Sequence, residues 1–487
     1  MNRFVTSCAL VGVDPRPVRV ETTVGGGRGQ FIIVGLPDAA VRESRERVRS
    51  AVKASGFRFP SGRVVVSLSP ADLPKTGALY DLPIALSVVQ ATEDLGERAG
   101  DFVSLGELSL HGDVKPTRGA VVAACVAEQT SSVALVPPGS CVPASVVALT
   151  GTVTDLRHAV DVVRGRSKAE MCAPAVDGKR VGIDLKEVRG QPVARRSLEV
   201  AAAGGHHMLM VGPPGAGKSL LASCLPTLLP KLTEEEEREV ALIAAAIGVD
   251  HEGSSGPPFR APHHSISMAA LVGGGAGIPK PGEVTRAHRG VLFLDELGEF
   301  PPAVLDSLRQ PMEAGHVLVS RQAASIRFPT AIQVIAASNP CPCGYRGERN
   351  SDCECIGARL DRYRARLSGP LLDRFDLRLR VERLRPIEMQ ASPGEPSAEV
   401  RKRVVAAREV QGRRDHLNRS LSASDLLPLE DPSVRSLLLS EPEAIRLTAR
   451  GWDRVRRVAR TIADLEGSEM TSDVHIKEAM TLRGDIT

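Results

Sequence analysis

The chain has 487 residues, 42% hydrophobic and 25% charged, enough for about three domains of roughly 150 residues with buried cores, which excludes a single small module and a largely disordered polypeptide. Only 3% of the residues are aromatic, which argues against a protein that works mainly by stacking bases on aromatic platforms. With 62 Lys and Arg against 58 Asp and Glu, a formal charge of +4, any contact with DNA must come from local basic patches.

The start, MNRFVTSCALVGVDPRP, lacks the charged and apolar regions of a signal peptide, and no run reaches the roughly 18 to 20 apolar residues that span a bilayer. A cytoplasmic protein with no membrane contact is expected. Residues 1–163 read as a mixed α/β domain: short β-branched runs such as QFIIVG (30–35) and RVVVSL (63–68) alternate with helical stretches such as 38–55, which starts just after Pro37. Residues 164–183 lose that periodicity and gain Gly, Pro and charge, the mark of a linker. From 184 to 383 strands and helices alternate again, 384–396 form a polar, Pro-containing connection, and 397–487 read as helices only. In this last part Trp452, Val455, Val458, Ile462 and Leu465 fall on one stripe.

The middle segment carries nucleotide signatures. GPPGAGKS, residues Gly212, Pro213, Pro214, Gly215, Ala216, Gly217, Lys218 and Ser219, fits the phosphate-loop pattern and follows the apolar run MLMV (208–211). Such a loop wraps phosphates in backbone N–H groups, sends Lys218 to the β and γ phosphates of ATP and offers the Ser219 hydroxyl to Mg²⁺. VLFLDE (291–296) is an apolar strand ending in two carboxylates, Asp295 for Mg²⁺ and Glu296 to polarise the attacking water. A third apolar run, IQVIAA (332–337), ends in Ser338 and Asn339, where Asn339 can sense the γ phosphate or cap a turn before Pro340.

Five of the nine cysteines, Cys8, Cys125, Cys141, Cys172 and Cys224, lie scattered in apparent core segments, where a buried free thiol is the default. The other four form two close pairs, Cys341 with Cys343 and Cys353 with Cys355, with nine residues between the pairs. Four thiolates so placed can encircle one Zn²⁺; the spacing is C-x-C rather than the usual C-x₂-C, so reduced thiols or redox pairs remain the competing reading.

On these motifs the segment from about 190 to 483 resembles AAA+ ATPases of the magnesium-chelatase I-subunit branch, which also includes MCM-like helicases. The resemblance implies an α/β fold with a P-loop αβα core, hairpin insertions and a C-terminal helical lid. It makes Arg374, in LLDRFDL (371–377), an arginine finger for a neighbouring subunit, the alternative being an intrachain salt bridge with Asp373 or Asp376. A lid arginine of the sensor-2 type is expected at Arg450, with Arg454 and Arg457 as rivals. Two segments match the hairpin insertions: 259–290, with a Gly-rich tip at 273–277, and 316–328, two short strands about a turn. By the same resemblance Arg321, with Lys280 and Arg286 as lesser candidates, tracks a DNA backbone without reading sequence. The basic stretch 401–414 and the arginines of 446–460 suit DNA or a solvated helix face equally.

The first domain, through IVGLPDAAVRESRERVRSAVKASGF (33–57), SLSPADLPKTGALYDLPIAL (67–86) and FVSLGELSLHGDVKPTRGAV (102–121), is similar to the domain that precedes the motor in the ComM/YifB family, itself Lon-protease-like (S5-type). A Lon-type peptidase needs a Ser activated by a Lys, yet the matching positions are Leu79 and Val121; a shift of register leaves only Lys75, Thr76 and Lys115. The resemblance therefore implies a degenerate protease domain on a homo-oligomeric, hexameric ATP-dependent DNA helicase that migrates branches of recombination intermediates during DNA uptake. A chelatase-type motor remodelling a protein partner and a Lon-like protease are the alternatives.

Overall fold

Alternation fixes the first sheet: in the strand Arg63–Ser69 every second side chain, Val64, Val66 and Leu68, is buried. The computed structural model describes residues 4–484 except 28, 94, 96, 175–181, 250–255, 276, 322–323, 349–352, 368, 391, 435–436 and 438–446. They divide into two compact units, 1–178 with 233–255, and 179–232 with 256–487. Among the described residues no helix is long and apolar enough to cross a membrane.

The first unit is built on an eight-stranded mixed sheet, with Val5–Val11 and Asp14–Gly25 as a central antiparallel pair. The helix Ala39–Ala54 begins where expected: the Asp38 carboxylate accepts from Val41 N at 2.8 Å, and Val41, Val48, Ala51 and Val52 are buried. Asp81, wholly buried, is saturated from within. It accepts from Arg47 Nε at 2.6 Å, from the Leu108 amide at 3.2 Å and from the Ser44 hydroxyl. The Arg47–Asp81 hydrogen bond also raises the Arg47 guanidinium above its ordinary pKa.

Two boundary expectations change. The linker expected at 164–183 is partly sheet, because Glu170–Met171 pairs with Thr150–Thr152 and Ala173–Pro174 with Cys141–Val142, satisfying backbone groups at a sheet edge; residues 175–181 of that linker lie outside the described residues. The helix Glu234–Ala246, expected within the ATPase core, belongs to the first unit. Thr233 and Glu236 cap it in a reciprocal box, Ala241, Leu242 and Ala245 join the cluster around Ala120–Gln129, and Arg238 pairs with Glu128 at 2.5 Å. Cys141 is a third correction: on a two-residue edge strand its thiol is exposed, whereas Cys8, Cys125, Cys172 and Cys224 are buried.

The second unit is a parallel sheet of five strands in the order Phe259–Arg260, Val291–Leu294, Gln333–Ser338, Met208–Val211, Leu377–Arg380. Its three central strands are buried, as a parallel sheet covered on both faces requires. The first strand in sequence lies between the fourth and the fifth, so its carboxyl end opens at a topological switch point, where open α/β sheets bind ligands. The expected separate lid shares this core: Trp452, Val455, Val458 and Ile462 of the helix Ala449–Leu465 pack with Leu198, Met208 and Leu225 in one cluster. Arg446, counted with the basic C-terminal stretch, lies outside the described residues.

Candidate nucleotide site

The loop 212–217 leaves the strand Met208–Val211 and feeds the helix Lys218–Leu228. Gly212 runs so close to the neighbouring strand that a Cβ would lie 2.0 Å from Val381 O, a place only glycine fits. Lys218 is buried, and its Nζ donates to Gly212 O at 2.6 Å, Pro213 O at 2.9 Å and Asn339 Oδ1 at 3.2 Å. Burial lowers this ammonium below its ordinary pKa while Asp295 and Glu296 pull the other way.

At the end of the strand Val291–Leu294, Asp295 Oδ2 accepts from Ser219 Oγ at 2.7 Å, which brings together the two oxygen donors predicted for Mg²⁺. A hydroxyl and a half-exposed carboxylate are a hard oxygen set that suits this ion. Glu296 follows at φ 52° with its side chain 54% exposed, and Glu296 Oε2 lies 3.3 Å from His264 Nδ1. His264 is held by His263 (ring centroids 4.0 Å apart) and edge-on by Phe300. Asn339 is fixed from behind, its carbonyl accepting from Tyr363 OH at 3.1 Å.

The four cysteines converge. All four Sγ atoms lie within 4.8 Å of one another, with Cys341 to Cys343 at 3.2 Å, Cys341 to Cys353 at 3.7 Å and Cys343 to Cys353 at 3.5 Å. Ligands on a tetrahedron with Zn–S bonds of about 2.3 Å sit roughly 3.8 Å apart, so the donor set fits Zn²⁺.

The remaining predicted residues fall in three places. Arg374 is largely covered, 14% exposed, and its guanidinium pairs not with Asp373 or Asp376 but with Glu313 at 2.8 Å. Two residues on, Asp376 is buried: burial pushes its carboxyl up, but the His206 hydrogen bond and the charges of His206 and Arg454 prevail and hold it below the usual carboxylate range. Of the lid candidates Arg454 is spent on Asp376 (3.1 Å) and Arg457 on Leu421 O (2.6 Å), whereas Arg450, in the first turn of its helix, is exposed. The hairpin strands His316–Ser320 and Ser325–Pro329 pair antiparallel, burying Val317, Val319, Ile326 and Phe328 and leaving Arg321 and Arg327 exposed. The other insertion forms a short ladder, Gly273–Gly274 with Lys280–Pro281, and Arg321 reaches it: its guanidinium lies 3.3 Å from where a Cβ on Gly274 would stand. Lys280 is exposed. Arg286, expected to face DNA, instead shares the Glu283 carboxylate with Arg260, whose Nε stands 2.7 Å from it.

Sequence reasoning missed His264, Tyr363, Gln191 (Nε2 to Ala216 O, 2.7 Å) and Arg383 (Nε to Pro214 O, 3.0 Å). Only the PHH run before Ser265 offered a signal, two imidazoles in a loop between nucleotide motifs.

In the first unit, the positions that would hold a Ser and a Lys present Leu79 and Val121 to one apolar cluster with Cys8 and Val103. Lys75 is buried and donates to Pro70 O, Thr76 is exposed, and Lys115 stands 3.9 Å from Asp113, so no hydroxyl–ammonium pair forms among these three.

Family models of the magnesium chelatase subunit ChlI match residues 20–140 and 184–389, and a model of its C-terminal part matches 394–483. The YifB protein of Salmonella typhimurium is 40% identical over 509 residues, covering 99% of this chain and 96% of its own length. Competence protein ComM of Haemophilus influenzae is 39% identical over 498 residues, covering 99% and 97%. The chain belongs to the ComM/YifB family. Lon protease 2 of Bacillus subtilis is 34% identical over 137 residues, 26% of this chain and 25% of that protein, in keeping with a Lon-like α/β fold in a ComM/YifB member. Membership makes the chain a magnesium-chelatase-like AAA+ ATPase of the ComM type, with ATP and Mg²⁺ as the ligands its site is built for.

Proposed function

We propose that this ComM/YifB member is a cytoplasmic, ring-forming, hexameric motor that spends ATP at subunit boundaries to move branched DNA, migrating the branches of recombination intermediates during DNA uptake. The observation that carries the reading is the side-by-side pair of hairpins on the ATPase unit, with Arg321 and Lys280 exposed. Guanidinium and ammonium groups on a sequence-blind hairpin are suited to phosphates, not base edges. A near full-length likeness to a competence protein supports the same substrate.

The chemistry follows from the pocket. Lys218 exchanges its carbonyl partners for the β and γ phosphates, and Ser219 and Asp295 are the residues that would hold Mg²⁺, which would supply positive charge to offset that of the phosphates. Glu296 turns from His264 to orient water, and Asn339 reports the γ phosphate back through Tyr363. Arg374, released from Glu313, completes the neighbour's site, and Arg450 closes from the lid. The four-cysteine knot holds a structural Zn²⁺.

A chelatase-type motor acting on a protein is the second reading, favoured by the chelatase models that match both units. ATP-driven displacement on Holliday, forked and plain duplex DNA, at several salt concentrations, separates the two. The proposal expects junction movement, DNA-stimulated ATPase and weakening with salt. Turnover indifferent to DNA, with the junction unmoved and a porphyrin-binding chelatase subunit copurifying, would overturn it.

A further inference from the structure

The four-cysteine knot is not remote from the nucleotide loop. Cys341 follows Asn339, the residue that receives Lys218 Nζ, by two positions. From Cys343 the chain turns at Gly344, φ 88°, directly onto the phosphate loop: a Cβ there would stand 2.7 Å from Pro214 Cδ. Arg383 clasps the same two elements. Its Nε donates to Pro214 O at 3.0 Å, its Nη1 lies 3.3 Å from Glu348 Oε1, and its guanidinium stacks 5.4 Å from the Tyr345 ring. Arg380 fixes the far side through Gly347 O at 3.0 Å. Residues 344–348 therefore line one side of the phosphate loop, and Cys343, which precedes them, stands in the thiol cluster with its Sγ 3.5 Å from that of Cys353.

We propose that Zn²⁺ in this knot and nucleotide in the phosphate loop are energetically coupled, the metal-closed knot pressing Gly344 and Arg383 against Pro214 and so setting the geometry in which ATP is bound. The proposal rests on the zinc and ATP readings above and adds a regulatory link between them. No covalent step is involved: four thiols release protons as the metal binds, and the loop gains a closed shape. Coupling between two sites is reciprocal, so zinc must tighten nucleotide binding by the factor by which nucleotide tightens zinc binding, typically about 5- to 150-fold.

The test uses the full chain. Metal content is measured on the purified protein, and affinity for a fluorescent ATP analogue in excess Mg²⁺ is measured before stripping with a zinc-selective chelator, after it, and after zinc chloride alone is restored. One zinc per chain is expected, with affinity about tenfold weaker on stripping and recovered on reloading. Cys343→Ser should lose both metal and tight nucleotide binding. Gly344→Ala keeps all four thiols, so it should retain zinc and still bind nucleotide about tenfold more weakly, which keeps the proposal open to refutation if the stripped protein aggregates. A wild-type chain that holds no zinc and takes none up overturns the metal, and one that binds no nucleotide overturns the ATP reading. Zinc and nucleotide both bound, with affinities indifferent to stripping and to Gly344→Ala, overturns the coupling alone.

Discussion

The carboxylate in the core of the first unit and the pair at a strand end of the second are treated in opposite ways. In the first unit the buried carboxylate, Asp81, takes hydrogen bonds from Arg47, Ser44 and the Leu108 amide, and the positions that would do peptidase chemistry are Leu79 and Val121 in an apolar cluster. Such a charge stabilises the fold and has no capacity left for a ligand. In the second unit the carboxylates at a strand's carboxyl end are only partly engaged, Asp295 being partly exposed and Glu296 lying against the His264 imidazole, while beside them Lys218 is held by two loop carbonyls and Asn339 Oδ1. Saturation marks scaffold, and spare capacity at a strand's carboxyl end marks the working site.

The sharpest way to break this contrast is to exchange the roles. Lys218→Ala should abolish measurable ATP turnover, while Leu79→Ser should leave turnover intact and produce no casein cleavage; peptidase activity in either the native chain or Leu79→Ser would end the contrast. Arg374→Ala comes next. Under the proposed function it should lower kcat about 10³-fold with nucleotide affinity unchanged, since a finger for a neighbour's phosphate takes no part in its own subunit's pocket. Glu313→Gln frees the same guanidinium and should raise turnover or lower the protein concentration at which turnover appears. If both variants merely lower the melting temperature alike, with kcat unaffected, Arg374 is an intrachain tie to the root of the hairpin and nothing more.

What the sequence made legible was whatever is written locally. The phosphate loop, the strand before Asp295, the hairpin at 316–328 and the helix after Pro37 each declare themselves within a few residues through glycine placement, apolar runs or a proline at the helix start. What stayed hidden is set by partners distant in the chain. Gln191 meets its loop partner 25 residues away and Arg383 meets Pro214 across 169, and no spacing announces either. The stripe Ala241, Leu242, Ala245 shows that its helix buries a face without naming the helix it meets, so its place in the first unit was invisible. Arg286 reads as a free cation until Glu283 and Arg260 are seen around it.

The smallest expected effect concerns a charge kept out of the second unit altogether. His207 is buried at the start of the Met208–Val211 strand, its Nδ1 accepting from the Val334 amide at 2.9 Å and its Nε2 lying 3.3 Å from the Arg419 guanidinium. Burial, then the charge of Arg419, pushes its pKa down to about 3; Asp376 opposes this and Arg454 adds to it. In the unfolded chain the ring titrates near 6.5, so between roughly 6.5 and 3 the unfolded state binds a proton that the folded state refuses. Stability from this residue is complete above the unfolded value and falls as pH drops, by at most about 1.4 kcal/mol per pH unit. Asp376, depressed instead, loses its contribution only below the ordinary carboxylate range, so the interval from pH 6.5 to 4.5 reports His207. His207→Asn keeps an acceptor for Val334 N–H and removes the titrating ring. Its urea midpoint should therefore fall less steeply over that interval than the native chain's, and parallel slopes would show that the imidazole is protonated in place and the region around it is wetter than its burial implies.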